Sequence, residues 1–283
     1  QFRATSDADG RYAIAGVFDG SWKVGAAAPG HAFRWGTADS FELGASITVV
    51  DDTPITFDVT LPRATASISG TVTGPDGAPL EGVQVNVSSS TGLAFSQFAG
   101  MVDFASYQRT VLTDAAGRYL ITGLAPTSFG VSFAPQFFGQ IGPTPISRLV
   151  AESYNDVHGP GPGTPVLTAE GVESTGIDAQ LEVGATIRGR ITDATGSPAA
   201  GVGVYTTQNI EFGGAITDAD GRYELPGLET GVVQLYASDP AGSSVAYRTP
   251  GSADSITDIP IERGATYEGF DIQFERYGTV FAT

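Results

Sequence analysis

The chain has 283 residues, with 31 acidic against 14 basic side chains and a formal net charge of −17 at neutral pH. Phosphate binding needs clustered Lys and Arg, so such a surface is a poor partner for nucleic acid. Cysteine is absent, which excludes disulfides, thiolate metal sites and a cysteine nucleophile, and no apolar run approaches the ~20 residues that a membrane-spanning helix needs.

The 38 glycines and 17 prolines punctuate short runs in which apolar and polar residues alternate, the pattern of an all-β sandwich or barrel. The first strong signal is the phrase Ser6-Asp7-Ala8-Asp9-Gly10-Arg11-Tyr12, which returns as Thr113-Asp114-Ala115-Ala116-Gly117-Arg118-Tyr119 and as Thr217-Asp218-Ala219-Asp220-Gly221-Arg222-Tyr223. Its glycines stand at 10, 117 and 221. An interval of about a hundred residues is the size of a common domain, so the phrase predicts tandem domains.

In the first unit, residues 1–63, the phrase leads into a predicted strand with Tyr12 and Ile14 on one face. A second strand follows with Trp22, Val24 and Ala26, and a closing strand spans 57–61. Trp22 falls in register with Phe129 of the second unit and is expected in the core. The unit starts at its Asp-Gly phrase, so its first two strands are expected to be missing. The linker at 62–67 is short and leaves little room to swing.

The second unit, residues 64–183, is the most complete. Ile68-Ser69-Gly70-Thr71-Val72-Thr73 alternates and meets the turn Gly74-Pro75-Asp76-Gly77. Val83, Val85 and Val87 then share a face, and these two strands are expected to pair antiparallel across the turn. After the Asp-Gly phrase come Phe129, Val131 and Phe133 on one face, and a closing strand Ile177-Asp178-Ala179-Gln180-Leu181. The third unit, residues 184–276, repeats the plan through Ile187, Ile191, Val202, Val204, Tyr223, Leu225, Val233, Leu235 and the closing Phe270-Asp271-Ile272-Gln273-Phe274. Residues 277–283 read as the start of a fourth unit or as a strand donated to a neighbour.

These spaced motifs resemble the carboxypeptidase regulatory-like domain: Gly70–Thr73, Asp76–Val85, Thr113–Tyr119 and Ile177–Leu181, then Gly189–Thr192, Gly201–Val204, Thr217–Tyr223 and Phe270–Phe274. The resemblance implies tandem Ig-like or transthyretin-like seven-strand β-sandwich domains. It also implies an accessory, structural or adhesive role in a secreted protein, and it carries over no catalytic residue. The expectation is a structural repeat segment of an extracellular stalk, fibre or filament, held by sandwich stacking; it is read first as a window on a longer continuous chain, with strand complementation between subunits as the second way to assemble it. The alternative is an adhesin-type module that binds a glycan or a protein. Partners would then be copies of itself, neighbouring domains of the chain, or a surface glycan or protein.

The second unit departs from the pattern. From Ile68 to Gly117 is 49 residues, against 34 from Ile187 to Gly221. The surplus holds Phe95, Phe98, Phe104 and Tyr107, and a later excursion holds Phe137 and Phe138. These aromatics are expected to cap their own sandwich or to contact a neighbouring domain or chain. Trp35 is a further candidate platform for a sugar ring, and Tyr277, Val280 and Phe281 are candidates for the donated strand.

No enzyme is expected. His31 and His158 are the only histidines and assemble no acid–base or zinc constellation. The Asp7/Asp9 and Asp218/Asp220 pairs suit a hard cation, but Ala116 replaces the second aspartate in the middle copy, which favours a plain turn. The alternating Gly–Pro run at 159–163 reads as a stiff loop. No catalytic, cofactor-binding or metal-ligating residue is assigned.

Overall fold

The computed structural model describes residues 2–36, 44, 46–51, 53–89, 107–135, 146–159, 161, 163–208, 214–240, 244–248 and 256–274. The expectations for Phe95, Phe98, Phe104, Phe137, Phe138, Tyr277, Val280 and Phe281 lie outside these residues. Among the described residues all regular structure is strand, and no helix is long and apolar enough to cross a membrane.

The second unit is two facing sheets. In one, Ala66–Thr73 runs antiparallel to Arg118–Leu124 and parallel to Glu173–Ser174 and Ala179–Gln180. In the other, Gln84–Ser88 lies between Gln108–Leu112 and Ser128–Ala134, with Glu152–Ser153 and Val166–Leu167 on the far side of the last. The third unit repeats this plan. Ala185–Thr192 takes Arg222–Leu228, Thr266–Tyr267 and Ile272–Gln273, while Gly203–Thr206 takes Ala215–Ile216 and Leu235–Ser238. Each pair of sheets encloses one core. The first gathers Ile68, Val72, Val83, Val85, Val87, Ile121, Phe129, Val131, Phe133 and Leu181. The second gathers Ile187, Ile191, Val202, Val204, Leu225, Leu228, Val233, Leu235, Ile259 and Ile272.

One expected pairing is corrected. The strands at 66–73 and 84–88 do not pair with each other; they belong to opposite sheets. The turn gives only a single bridge, Thr73 to Pro79, before the chain crosses over, and Thr192 to Pro198 repeats it. Each strand is apolar on one face only. Placing them in facing sheets buries both faces against each other, which pairing side by side would not do.

The repeated phrase is now readable residue by residue. Oδ1 of Asp7, Asp114 and Asp218 accepts two backbone N–H groups in each copy, two and four residues on, at 2.8–3.0 Å. The carboxylate thus closes the turn, and the residue at the second-aspartate position needs only its N–H. That accounts for Ala116. Glycine closes the turn with positive φ, and at Gly117 and Gly221 an added Cβ would lie 2.5 and 2.3 Å from the carbonyl oxygens of Val72 and Ile191. The buried hydroxyls of Thr113 and Thr217 accept from the N–H of Val83 and Val202 and donate to the carbonyls of Leu80 and Ala199.

The tyrosine that ends the phrase reaches across its sheet. Tyr119 Oη donates to the Ile177 carbonyl and Tyr223 Oη to the Phe270 carbonyl, each at 2.6 Å. Opposite each tyrosine in the ladder stands a glycine, Gly70 or Gly189. A Cβ on either would come within 2.2 or 2.1 Å of the same carbonyl oxygen. The closing segment's aspartate then accepts the next N–H along: Asp178 Oδ1 from Thr71 at 2.7 Å, Asp271 Oδ1 from Arg190 at 2.8 Å.

The first unit differs from expectation. Its described strands are two short pairs, Gly20–Lys23 with Ser46–Val49 and Gly25–Ala26 with Arg34–Trp35. No strand forms at 12–14 or 57–61. Trp22, expected in the core, is half-buried, edge-on to Phe2 at 5.3 Å with Nε1 donating to the Phe18 carbonyl. The tyrosine contact persists all the same: Tyr12 Oη donates to the Phe57 carbonyl at 2.6 Å.

Gly189→Ala is expected to destabilise the third unit by about 3 kcal/mol, because the new methyl meets backbone rather than a movable side chain. Tyr223→Phe is expected to cost about 1–2 kcal/mol, by leaving the Phe270 carbonyl without its donor. Both are read from urea unfolding midpoints. Burial, aided by the carboxylates of Asp178 and Asp271, raises the pKa of Tyr119 and Tyr223 above the ordinary 10.0. A raised folded pKa gives stability that is complete below pH 10 and is lost as the pH climbs above it. The melting temperature should therefore fall above about pH 10, and less steeply in the double Tyr→Phe chain.

Candidate functional site

The described structure offers no catalytic constellation; its unusual chemistry is gathered where consecutive units meet. At the first junction the linker is bridged to a segment of the unit before it. Ala32 N–H donates to the Pro62 carbonyl at 2.8 Å and Ala64 N–H to the Gly30 carbonyl at 2.9 Å, forming an antiparallel bridge between His31 and Arg63. Beside it Ala32, Phe33 and Trp35 of the first unit pack with Tyr107 and Ala125 of the second in one buried cluster. Phe33 N–H donates to Tyr107 Oη at 2.8 Å. Gly25 permits this packing, since a Cβ there would sit 2.6 Å from the Phe33 ring.

Trp35, read from sequence as a possible sugar platform, is only 7% exposed and lies edge-on to Phe33 at 5.2 Å. Its ring face is covered by protein. Tyr107, one of the inserted aromatics, is 2% exposed and joins two units.

The second junction repeats the linker pairing. Val150 N–H donates to the Glu182 carbonyl at 2.9 Å and Gly184 N–H to the Arg148 carbonyl at 2.8 Å, around an antiparallel bridge from Leu149 to Val183. Here the side chains alongside are charged. Arg263 Nη1 pairs with Glu182, and its Nε lies 3.3 Å from Glu229 Oε1. The same Nη1 lies 2.7 Å from His158 Nε2. A guanidinium can only donate, so that contact requires Nε2 as the acceptor. Nδ1 in turn lies 3.1 Å from Glu229 Oε2, at ion-pair distance but off the hydrogen-bonding angle.

Two further carboxylates crowd the same imidazole. Asp156 Oδ1 lies 3.1 Å from Nε2. Asp156 and its neighbour Asn155 both take positive φ, 58° and 72°, in a tight reversal closed by two hydrogen bonds between Ser153 and Val157. Glu152 sits on the short edge strand against Phe133 and is 5% exposed. Its Oε2 has no hydrogen-bond partner among the described residues. Burial pushes its pKa up to about 7; Asp156 and Glu182 push the same way, while His158 and the Gln180 N–H oppose. One ligand atom each from Glu152, Asp156 and His158 lie within 4.8 Å of one another.

The sequence reading missed this cluster. The spacing Glu-x-x-x-Asp-x-His at 152–158 was visible, yet it sits in a loop read for its Gly–Pro content. Glu229 and Arg263 are 71 and 105 residues beyond His158, a separation that no local pattern bridges.

A family model described as the carboxypeptidase regulatory-like domain matches residues 67–143 and 186–274. No curated protein matches the chain. Among solved structures it is similar to a streptococcal ancillary pilin, at 14% identity over 93% of this chain and 81% of that one, TM-score 0.30. It is similar to the Bacillus anthracis TIE protein, at 14% identity over 96% of this chain and 49% of that one, TM-score 0.30. The shaft pilin SpaA of Lactobacillus rhamnosus GG matches at 13% identity over 76% of this chain and 99% of that one, TM-score 0.29. The chain thus spans about half the length of the TIE protein.

Tyr107→Phe removes the buried donor–acceptor contact to Phe33 and is expected to loosen the first junction by about 1–2 kcal/mol. Trp35 reports on it directly: in a Trp22→Phe background its emission should shift to the red at a lower urea concentration than in the parent chain.

Proposed function

The chain belongs to the carboxypeptidase regulatory-like domain family, and from that premise we propose that it is a structural segment of an extracellular or cell-surface stalk, its beads held in a stiff row. The observation that carries this reading is the treatment of the linkers. Residues 62–64 and 182–184 are not free tethers; each is tied by two backbone hydrogen bonds to one segment of the unit before it. A tether of the same length left in solvent would let the beads sample a wide range of angles. Fixing both ends of a linker by backbone pairing removes that freedom and transmits force along the chain.

Composition supports the reading. A charge of −17 keeps neighbouring molecules apart in solution, and the core positions of both complete units are occupied by side chains that pack rather than react. The division into beads at 1–63, 64–183 and 184–276 belongs to the same proposal. The partners it implies are neighbouring domains or further copies of the chain.

Small-angle X-ray scattering on the purified chain tests it. A stiff row gives a rod-like cross-section regime and a well-defined maximum dimension that does not change between low and physiological salt. A broad ensemble, or a maximum dimension that varies with salt, would sink the proposal. Immunogold labelling of intact cells from the native source supplies the second arm, and label confined to the cell interior would count against it.

A further inference from the structure

We propose that Glu152, Asp156 and His158 form a binding site for a divalent transition-metal ion, with Zn²⁺ the ion whose chemistry fits best, at the junction of the second and third units. The three residues bring one imidazole nitrogen and two carboxylates together with ligand atoms no more than 4.8 Å apart. That mixed donor set suits Zn²⁺ and its neighbours; Ca²⁺ prefers six to eight oxygens.

The second observation is independent of the clustering. Glu152 is 5% exposed, and its Oε2 is buried without a hydrogen-bond partner among the described residues. A buried carboxylate oxygen left unpaired is costly, and a cation coordinated there would relieve that cost. The charges around it point the same way. Glu152, Asp156, Glu182 and Glu229 converge on this junction, where among the described residues the Arg263 guanidinium pairs with Glu182 and Glu229.

His158 is arranged as a ligand would be. Its Nε2 lies 3.1 Å from Asp156 Oδ1 and 2.7 Å from the Arg263 guanidinium, while Nδ1 faces the Glu229 carboxylate at 3.1 Å. A ligating histidine typically directs its second ring nitrogen at a carboxylate, which fixes the tautomer and makes the ligating nitrogen more basic. Arg263 is therefore a competitor for Nε2. On ion binding its guanidinium gives up the imidazole and keeps Glu182 and Glu229, with which it is already paired. The ion and Arg263 draw on the same junction residues, so occupancy would couple the edge loop of the second unit to the third.

The test uses the untagged 283-residue chain, stripped with a chelator and titrated with ZnCl₂ by calorimetry at pH 7.5. One equivalent is expected to bind. Glu152→Gln and His158→Gln should each weaken binding by at least 10-fold, and Glu229→Gln by about 10-fold as a supporting carboxylate. Arg263→Met should tighten it, and His31→Gln should leave it unchanged. A measurement on the parent chain needs no variant to fold. With only two histidines, one equivalent of paramagnetic Co²⁺ should broaden one pair of imidazole proton signals and spare the other. Absence of binding, or equal broadening of both histidines, overturns the site. So does Zn²⁺ affinity that survives Glu152→Gln and His158→Gln. Scattering in chelator reads the stalk proposal separately, so either idea can fail while the other stands.

Discussion

Tyr119 and Tyr223 each hold the closing segment of their unit by one hydrogen bond to a backbone carbonyl, at 2.6 Å in both, and most of the sandwich is arranged so that this bond can form. The closing segments pair only briefly with the central strand, two residues at a time and in parallel. Such short ladders hold little by themselves. The phenol adds a fixed point from the antiparallel side, and the glycine opposite it leaves the carbonyl room to approach. The aspartate next in the closing segment ties the following N–H of the central strand. Three motifs that lie far apart in sequence are therefore parts of one joint.

The other half of the phrase works on the second sheet. The buried threonine in front of Asp114 or Asp218 receives the N–H that starts the strand after the turn. One seven-residue stretch thus fixes the entry of a strand in one sheet and the closure of the other. The first unit keeps part of this joint. Its turn is intact at Asp7, and Tyr12 still finds the Phe57 carbonyl. Yet Ser6 and Tyr12 are exposed, and the flanking segments form no ladder.

The junctions use the same backbone device with different side chains. Both linkers are bridged to the preceding unit, at His31–Arg63 and at Leu149–Val183. The first is sealed by an aromatic cluster, whose strength depends little on salt or pH. The second is lined by a guanidinium, an imidazole and several carboxylates.

The class of fold and its repetition were written in the sequence, because alternation with period two and an Asp-Gly turn are local properties that each unit states for itself. The core was legible too: Val83, Val85, Val87, Phe129 and Phe133 are buried as their alternation requires. Pairing was not, since an alternating strand announces which face it buries and not which neighbour it takes; the strands at 66–73 and 84–88 sit in opposite sheets for that reason. Trp22 misled because its register was copied from Phe129, whereas burial depends on what packs against the ring, here Phe2 and the Phe18 carbonyl. The charged junction was beyond local reading altogether. His158 meets Glu229 and Arg263 only after two sandwiches have folded and a bridged linker has set them side by side, so what the sequence determined was each bead, and what tertiary structure decided was the chemistry between them.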